Sequence, residues 1–99
     1  MVKVGLLVRL VARPGKEEEV GAFLASALPL AQAEPSTTTW FAIRLSKSDF
    51  GIFDAFPDQA GRSTHLNGPI AKALMAKASE LLSEPPKIEH VDVLAAKLA

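Results

Sequence analysis

The chain has no cysteine, so it holds no disulfide, no thiolate nucleophile and no thiolate metal site. It has no excess of charge of either sign: 11 Lys and Arg stand against 11 Asp and Glu among 99 residues. No basic stripe is present, and a phosphate backbone therefore finds no electrostatic footprint; nucleic acid is not an expected partner. Long apolar runs are also missing, and nothing approaches the roughly 20 residues that span a bilayer. The opening stretch Met1 to Leu10 is apolar but interrupted by Lys3 and Arg9. It lacks a small-residue cleavage pattern, and so reads as a strand and not as a signal peptide. There is no glycine-rich phosphate loop, and Ser46, Ser48 and Ser63 lack a nucleophile-elbow context. The histidines number 2, His65 and His90, with no spacing that suits a metal, so no metal site is expected. There are no repeats and no low-complexity segments. These absences leave a cytoplasmic protein acting away from membranes and nucleic acids as the expectation.

What is there is an apolar chain, 48% AVILMFWYC, of a length that suits one domain over residues 1–99. Val2 to Ala12 alternates as a strand, with Val2, Val4, Leu6, Val8 and Leu10 on one side. Arg13-Pro-Gly15 is a turn. From Lys16 to about Ala33, Val20, Phe23, Leu24, Ala27, Leu28 and Ala31 recur as one helical stripe. Glu17, Glu18 and Glu19 sit where the helix dipole favours negative charge. Pro29 should kink or shorten that helix, and Glu34-Pro-Ser36 ends it. Thr37 to Leu45 is rich in Thr, aromatic and branched residues and reads as a second strand. Ser46 to Asp49 is a hairpin turn, and Phe50 to Phe56 the third strand. Asp58 caps a short helix towards Leu66. Asn67-Gly-Pro69 restarts a helix whose stripe is Ile70, Leu74, Ala78, Leu81 and Leu82, with Pro69 at its first position. A fourth strand runs from Lys87 to about Ala96.

The order β-α-β-β-α-β predicts a ferredoxin-like α+β sandwich. Helices on one side of a four-stranded sheet leave the other side bare. Leu7, Val11, Phe53 and Ala55, or their opposites, put apolar groups on that bare face, and an apolar face seeks a partner. A second copy of the chain is the simplest one, so a homodimer through the open sheet face is expected.

One carboxylate breaks the pattern. Phe50, Ile52, Asp54 and Phe56 share one strand face, and a buried carboxylate is costly unless it is paired or useful. His65, at the end of the following short helix, is the available partner. A pair of this kind in an apolar pocket would hold a phenolic hydroxyl or remove its proton. The alternative is a purely structural pair or local backbone capping. Trp40 and Arg44 share a face of the second strand. Trp40 either stacks on a planar ligand or belongs to the core; Arg44 either reaches a ligand or is a surface charge. Asn67 is either a helix N-cap or a ligand contact.

Taken together, these pieces resemble the antibiotic-biosynthesis-monooxygenase-type domains of the dimeric α+β barrel superfamily over nearly the whole chain. The resemblance is carried by Arg13-Pro-Gly-Lys-Glu-Glu-Glu19, Ala33-Glu-Pro35, Trp40, Arg44, Phe50-Gly-Ile-Phe-Asp-Ala-Phe-Pro-Asp-Gln-Ala60 and Thr64-His-Leu66. It implies a dimer joined through the sheets and a pocket between sheet and helices. It also implies oxygenation of a small quinol or polycyclic aromatic without flavin, metal or other cofactor. Asp54 stands where many members have a glutamate, one methylene longer, and His65 stands at the family's common histidine. The resemblance therefore makes His65 and Asp54 the catalytic candidates. Trp40, Arg44, Asn67 and Phe23 are the substrate-binding ones. The haem-degrading branch carries Trp at the His65 position and an iron-binding His near Met75, and this chain has neither. A non-catalytic dimeric ligand-binding or sensor module on the same fold is the competing expectation.

Overall fold

Strand β1 (Val4–Val11) lies inside a four-stranded sheet of order β2-β3-β1-β4, with β2 at Thr39–Arg44, β3 at Asp49–Phe56 and β4 at Lys87–Asp92. Every neighbouring pair is antiparallel. This computed structural model describes residues 1–98. The helices are α1 (Glu17–Ser26), α2 (Leu28–Gln32), α3 (Gln59–Leu66) and α4 (Pro69–Leu81). The fold is the ferredoxin-like α+β arrangement that the order of elements predicts. Among the described residues, no helix is long and apolar enough to cross a membrane.

The period-2 pattern decides which side of the sheet is covered. Leu6, Val8 and Leu10 of β1 and Phe50, Ile52 and Phe56 of β3 are all buried, and the core joins Val8, Leu10, Phe50 and Ile52 to Val20, Leu24, Leu74 and Leu81 from the helices. The register places Leu6 against Asp54, Val8 against Ile52 and Leu10 against Phe50. The opposite side is bare. There Leu7 pairs with Phe53 and Phe53 with Phe41. Phe41 is 57% and Ile43 41% exposed. Large apolar side chains in water on a flat sheet are an unpartnered surface.

Three elements differ from the sequence expectation. The first helix breaks at Ala27, two residues before Pro29, so that Pro29 falls in the first turn of α2, where its missing N–H costs nothing. Asn67 is not the N-cap of α4. It closes α3, donating from Nδ2 to Ser63 O at 2.9 Å, and Gly68 in extended conformation takes the N-cap position. The last strand ends at Asp92 and not near Ala96. Its partner β1 begins at Val4, opposite Asp92, and one further backbone bond, Val93 N to Lys3 O at 2.9 Å, exhausts the ladder.

Two glycines have a geometric reason. Gly15 turns the chain out of β1 at φ +87°, in the left-handed region that side chains disfavour. Gly5 lies against the backbone of β3: a Cβ there would stand 2.6 Å from Asp54 O. Helix α3 is held to the sheet by Arg62, which is buried although charged. Its Nη1 donates to Gly5 O and Val91 O, each at 3.2 Å, and its Nη2 to Gln59 Oε1 at 3.0 Å.

Candidate acid–base site

Asp54 occupies the middle of β3 on the helix-covered side and is 1% exposed. Across the ladder stand Leu6 on β1 and Trp40 on β2. Such surroundings give a carboxylate nothing to bind, so its partner must come from the helix layer. Helix α3 supplies it. Asp58 caps the helix by accepting from Gly61 N at 2.9 Å, and the helix then turns His65 inwards, where it is 6% exposed. His65 Nε2 lies 3.0 Å from Asp54 Oδ2. The contact is an ion pair, and neither carboxylate oxygen of Asp54 has a hydrogen-bond partner among the described residues. The ring of Phe56 leans on the imidazole, with centroids 5.3 Å apart.

The other ring nitrogen finds a second carboxylate. His65 Nδ1 is 2.6 Å from Oε1 of Glu34, which follows α2 and is itself mostly buried. Thr37 Oγ1 donates to the same oxygen at 2.6 Å. Burial by itself would push the imidazole below its ordinary value of 6.5. The contacts and charges of Asp54 and Glu34 outweigh that effect, and the His65 pKa is raised. A carboxylate only accepts, so a ring facing one on each side carries a proton on both nitrogens.

Beside this pair lies a cavity of about 30 Å³, lined by Leu6, Val8, Ile52, Asp54, His65, Leu66, Ile70, Ala71, Leu74 and Ile88. Apart from Asp54 and His65 its wall is apolar. It suits a group the size of a water molecule and falls far below the roughly 300–1,000 Å³ of pockets that enclose drug-sized ligands.

Of the residues singled out from sequence, the structure brings Asp54, His65 and Trp40 together. Trp40 packs against Ala27, Ala31 and Ile70, and its Nε1 is buried with no hydrogen-bond partner among the described residues. Trp40 is not among the residues that line the cavity, and the other candidates lie apart from it as well. Arg44 staples the β2–β3 hairpin, donating to Ser46 O at 3.1 Å and Lys47 O at 2.8 Å, with its guanidinium 5.0 Å from the Phe50 ring centroid. Phe23 is half-buried against the core around Leu24. Asn67 is exposed at the end of α3. Among the described residues, no group of three His, Asp or Glu side chains is arranged to hold a metal ion. Sequence reading missed Glu34, which it treated as a helix terminator, and Arg62. The available signal for Glu34 was chemical: an imidazole in a core has two nitrogens to satisfy, and Asp54 answers for one.

No protein-family model matches the chain, and no curated protein does. Solved structures do. A protein of unknown function from Nitrosomonas europaea is 62% identical over 100% of this chain and 96% of its own, with a TM-score of 0.98. A candidate antibiotic biosynthesis monooxygenase from the same organism is 13% identical over 93% of this chain and 90% of its own, with a TM-score of 0.82. Another, from Caulobacter crescentus, is 18% identical over 95% and 92%, with a TM-score of 0.71. The last two likenesses are likenesses of fold. The chain belongs to the family of the first Nitrosomonas europaea protein, whose function is unknown, and its fold is that of the antibiotic-biosynthesis-monooxygenase-like domains.

Proposed function

We propose that the chain is a cofactor-independent monooxygenase acting on a small quinol or polycyclic aromatic, as one domain spanning residues 1–99 in a cytoplasmic homodimer. The observation that carries this reading is the buried pair of Asp54 and His65 facing an apolar cavity. A phenol placed there would lose its proton to the pair. The phenolate ring, richer in electrons, would then donate them to dioxygen, which is both oxidant and oxygen source. Trp40, opposite Asp54, would wall the ring in. A cavity of about 30 Å³ admits an aromatic ring only if the α3–α4 wall, where Leu66, Ile70 and Ala71 stand, moves away from the sheet. The bare sheet face, with Phe41, Ile43 and Phe53, is the surface through which two copies would pair.

The same small cavity favours a second reading, a non-catalytic dimeric ligand-binding or sensor module in which the buried charges are structural. Oxygen uptake by purified protein with a panel of hydroquinones separates the two. Uptake that is lost in Asp54→Asn and His65→Ala supports the oxygenase. Saturable binding without uptake supports the module. Turnover without oxygen would replace both with an isomerase or decarboxylase.

A further inference from the structure

The imidazole of His65 is gripped from both sides, and this changes which atom can take a proton. Nδ1 meets Glu34 Oε1 at 2.6 Å and Nε2 meets Asp54 Oδ2 at 3.0 Å. Neither nitrogen keeps a free lone pair while both carboxylates are ionised. Both oxygens of Asp54, which lines the cavity, lack a hydrogen-bond partner among the described residues; Oδ2 faces His65 Nε2 as an ion pair, which leaves Oδ1 as the oxygen not facing the ring. Glu34 is held in turn by Thr37, whose hydroxyl donates to it at 2.6 Å. Among the described residues no other charged side chain contacts the ring: Arg62, on the same helix, directs its donors to Gly5, Val91 and Gln59.

We propose that Glu34 is a positioning residue of this site: by engaging Nδ1 it commits the Nε2–H of His65 to Asp54, so that the proton-accepting atom is Oδ1 of Asp54 and not the imidazole. The inference rests on the reading of the cavity as a proton-transfer site. In the step it assigns, the substrate O–H bond breaks, its electron pair stays on the substrate oxygen, and the proton forms an O–H bond with Asp54. His65 remains a cation throughout and offsets the charge of Asp54 before transfer and that of the phenolate after it.

The test is nitrogen NMR of the His65 ring in the full chain, over pH, in wild type and Glu34→Gln. The amide keeps a carbonyl oxygen for Nδ1–H but removes the charge. Wild type is expected to show both ring nitrogens protonated at neutral pH, and Glu34→Gln a titration midpoint shifted downward. Thr37→Val, which removes the hydroxyl bond to Glu34 together with the 3.4 Å contact to His65 Nδ1 but leaves both carboxylates in place, is expected to give a smaller downward shift, and it serves alone if Glu34→Gln does not fold. A singly protonated ring at neutral pH in wild type would overturn the proposal, as would midpoints unmoved by the variants. Where hydroquinone drives oxygen uptake, a wild-type rate that rises along the His65 titration would make the ring the base, and would equally overturn it. If no hydroquinone reacts while the NMR results hold, the oxygenase reading fails and the positioning of His65 by Glu34 stands.

Discussion

Replacing His65 by leucine removes one partner from a buried set of charges while keeping an apolar group against Phe56, whose ring lies 5.3 Å from the imidazole. Asp54 is then left 1% exposed with nothing opposite it, and Glu34 loses its contact at 2.6 Å. Breaking a buried pair in this way costs about 3–5 kcal/mol, because the remaining charge stays in a poor solvent. For a chain of this size the whole stability is about 5–15 kcal/mol. Each kcal/mol moves the melting temperature by about 4–8 °C, so a fall of more than about 10 °C is expected. The pH dependence should change as well. In wild type the folded His65 pKa lies above 6.5, so its contribution is full below that value and fades as pH rises through the folded pKa. His65→Leu has no imidazole, so the loss of stability as pH rises through the His65 pKa should be absent from that variant. Glu34→Gln/Asp54→Asn/His65→Leu removes all three charges and should recover at least half of the loss. Urea unfolding followed by circular dichroism between pH 5 and 9 measures all of this. A loss below about 1 kcal/mol with an unchanged pH slope would refute the reasoning, since it would mean that water reaches these groups.

Gly5→Ala should destabilise by about 1–3 kcal/mol, because its Cβ would stand 2.6 Å from the backbone oxygen of Asp54 and force β1 and β3 apart; thermal melting checks it. Asp58→Ala should cost about 0.5–2 kcal/mol through loss of the cap on Gly61 N, with raised amide exchange confined at first to α3. Phe53→Asp, on the bare sheet face, should halve the sedimenting mass if two copies pair there, and a wild-type protein that sediments as a monomer at micromolar concentration would remove the dimer from the proposal.

The strand faces were legible because side-chain alternation is a local property. Phe50, Ile52, Asp54 and Phe56 fall on one side whatever the rest of the chain does, and that alone isolates Asp54 as anomalous. Pro29 signalled a break, but where the helix gives way depends on how Ala27 and Ala31 pack against Ile70, and a linear pattern does not carry that. The fourth strand looked longer than it is because Val93 and Ala95 continue the alternation. A strand lasts only as long as its neighbour, and β1 runs out at Val4. Asn67-Gly-Pro69 is a restart signal for which either of two residues can serve as the cap; Gly68 won by adopting the extended conformation. Within the site, Asp54 and His65 were legible as a carboxylate and an imidazole that each needed an answer. Glu34 was not, because it comes from the far side of β2 and nothing nearby in sequence marks it as buried.

The gripping of His65 by groups from two other segments also has a kinetic side. Glu34, Asp54 and His65 stand 31 residues from first to last along the chain, on a loop, a strand and a helix. Their contacts can form only after β3 has found its place and α3 has docked on it, and stripping water from three polar groups is favourable only once all of them are in position. Such contacts should form in the final stage of folding, beyond the barrier. Changes at these residues should therefore leave the refolding arm of a chevron almost unmoved and steepen loss of the native state through the unfolding arm. The buried charges would then set how long a folded molecule lasts and have little say in how quickly it is made.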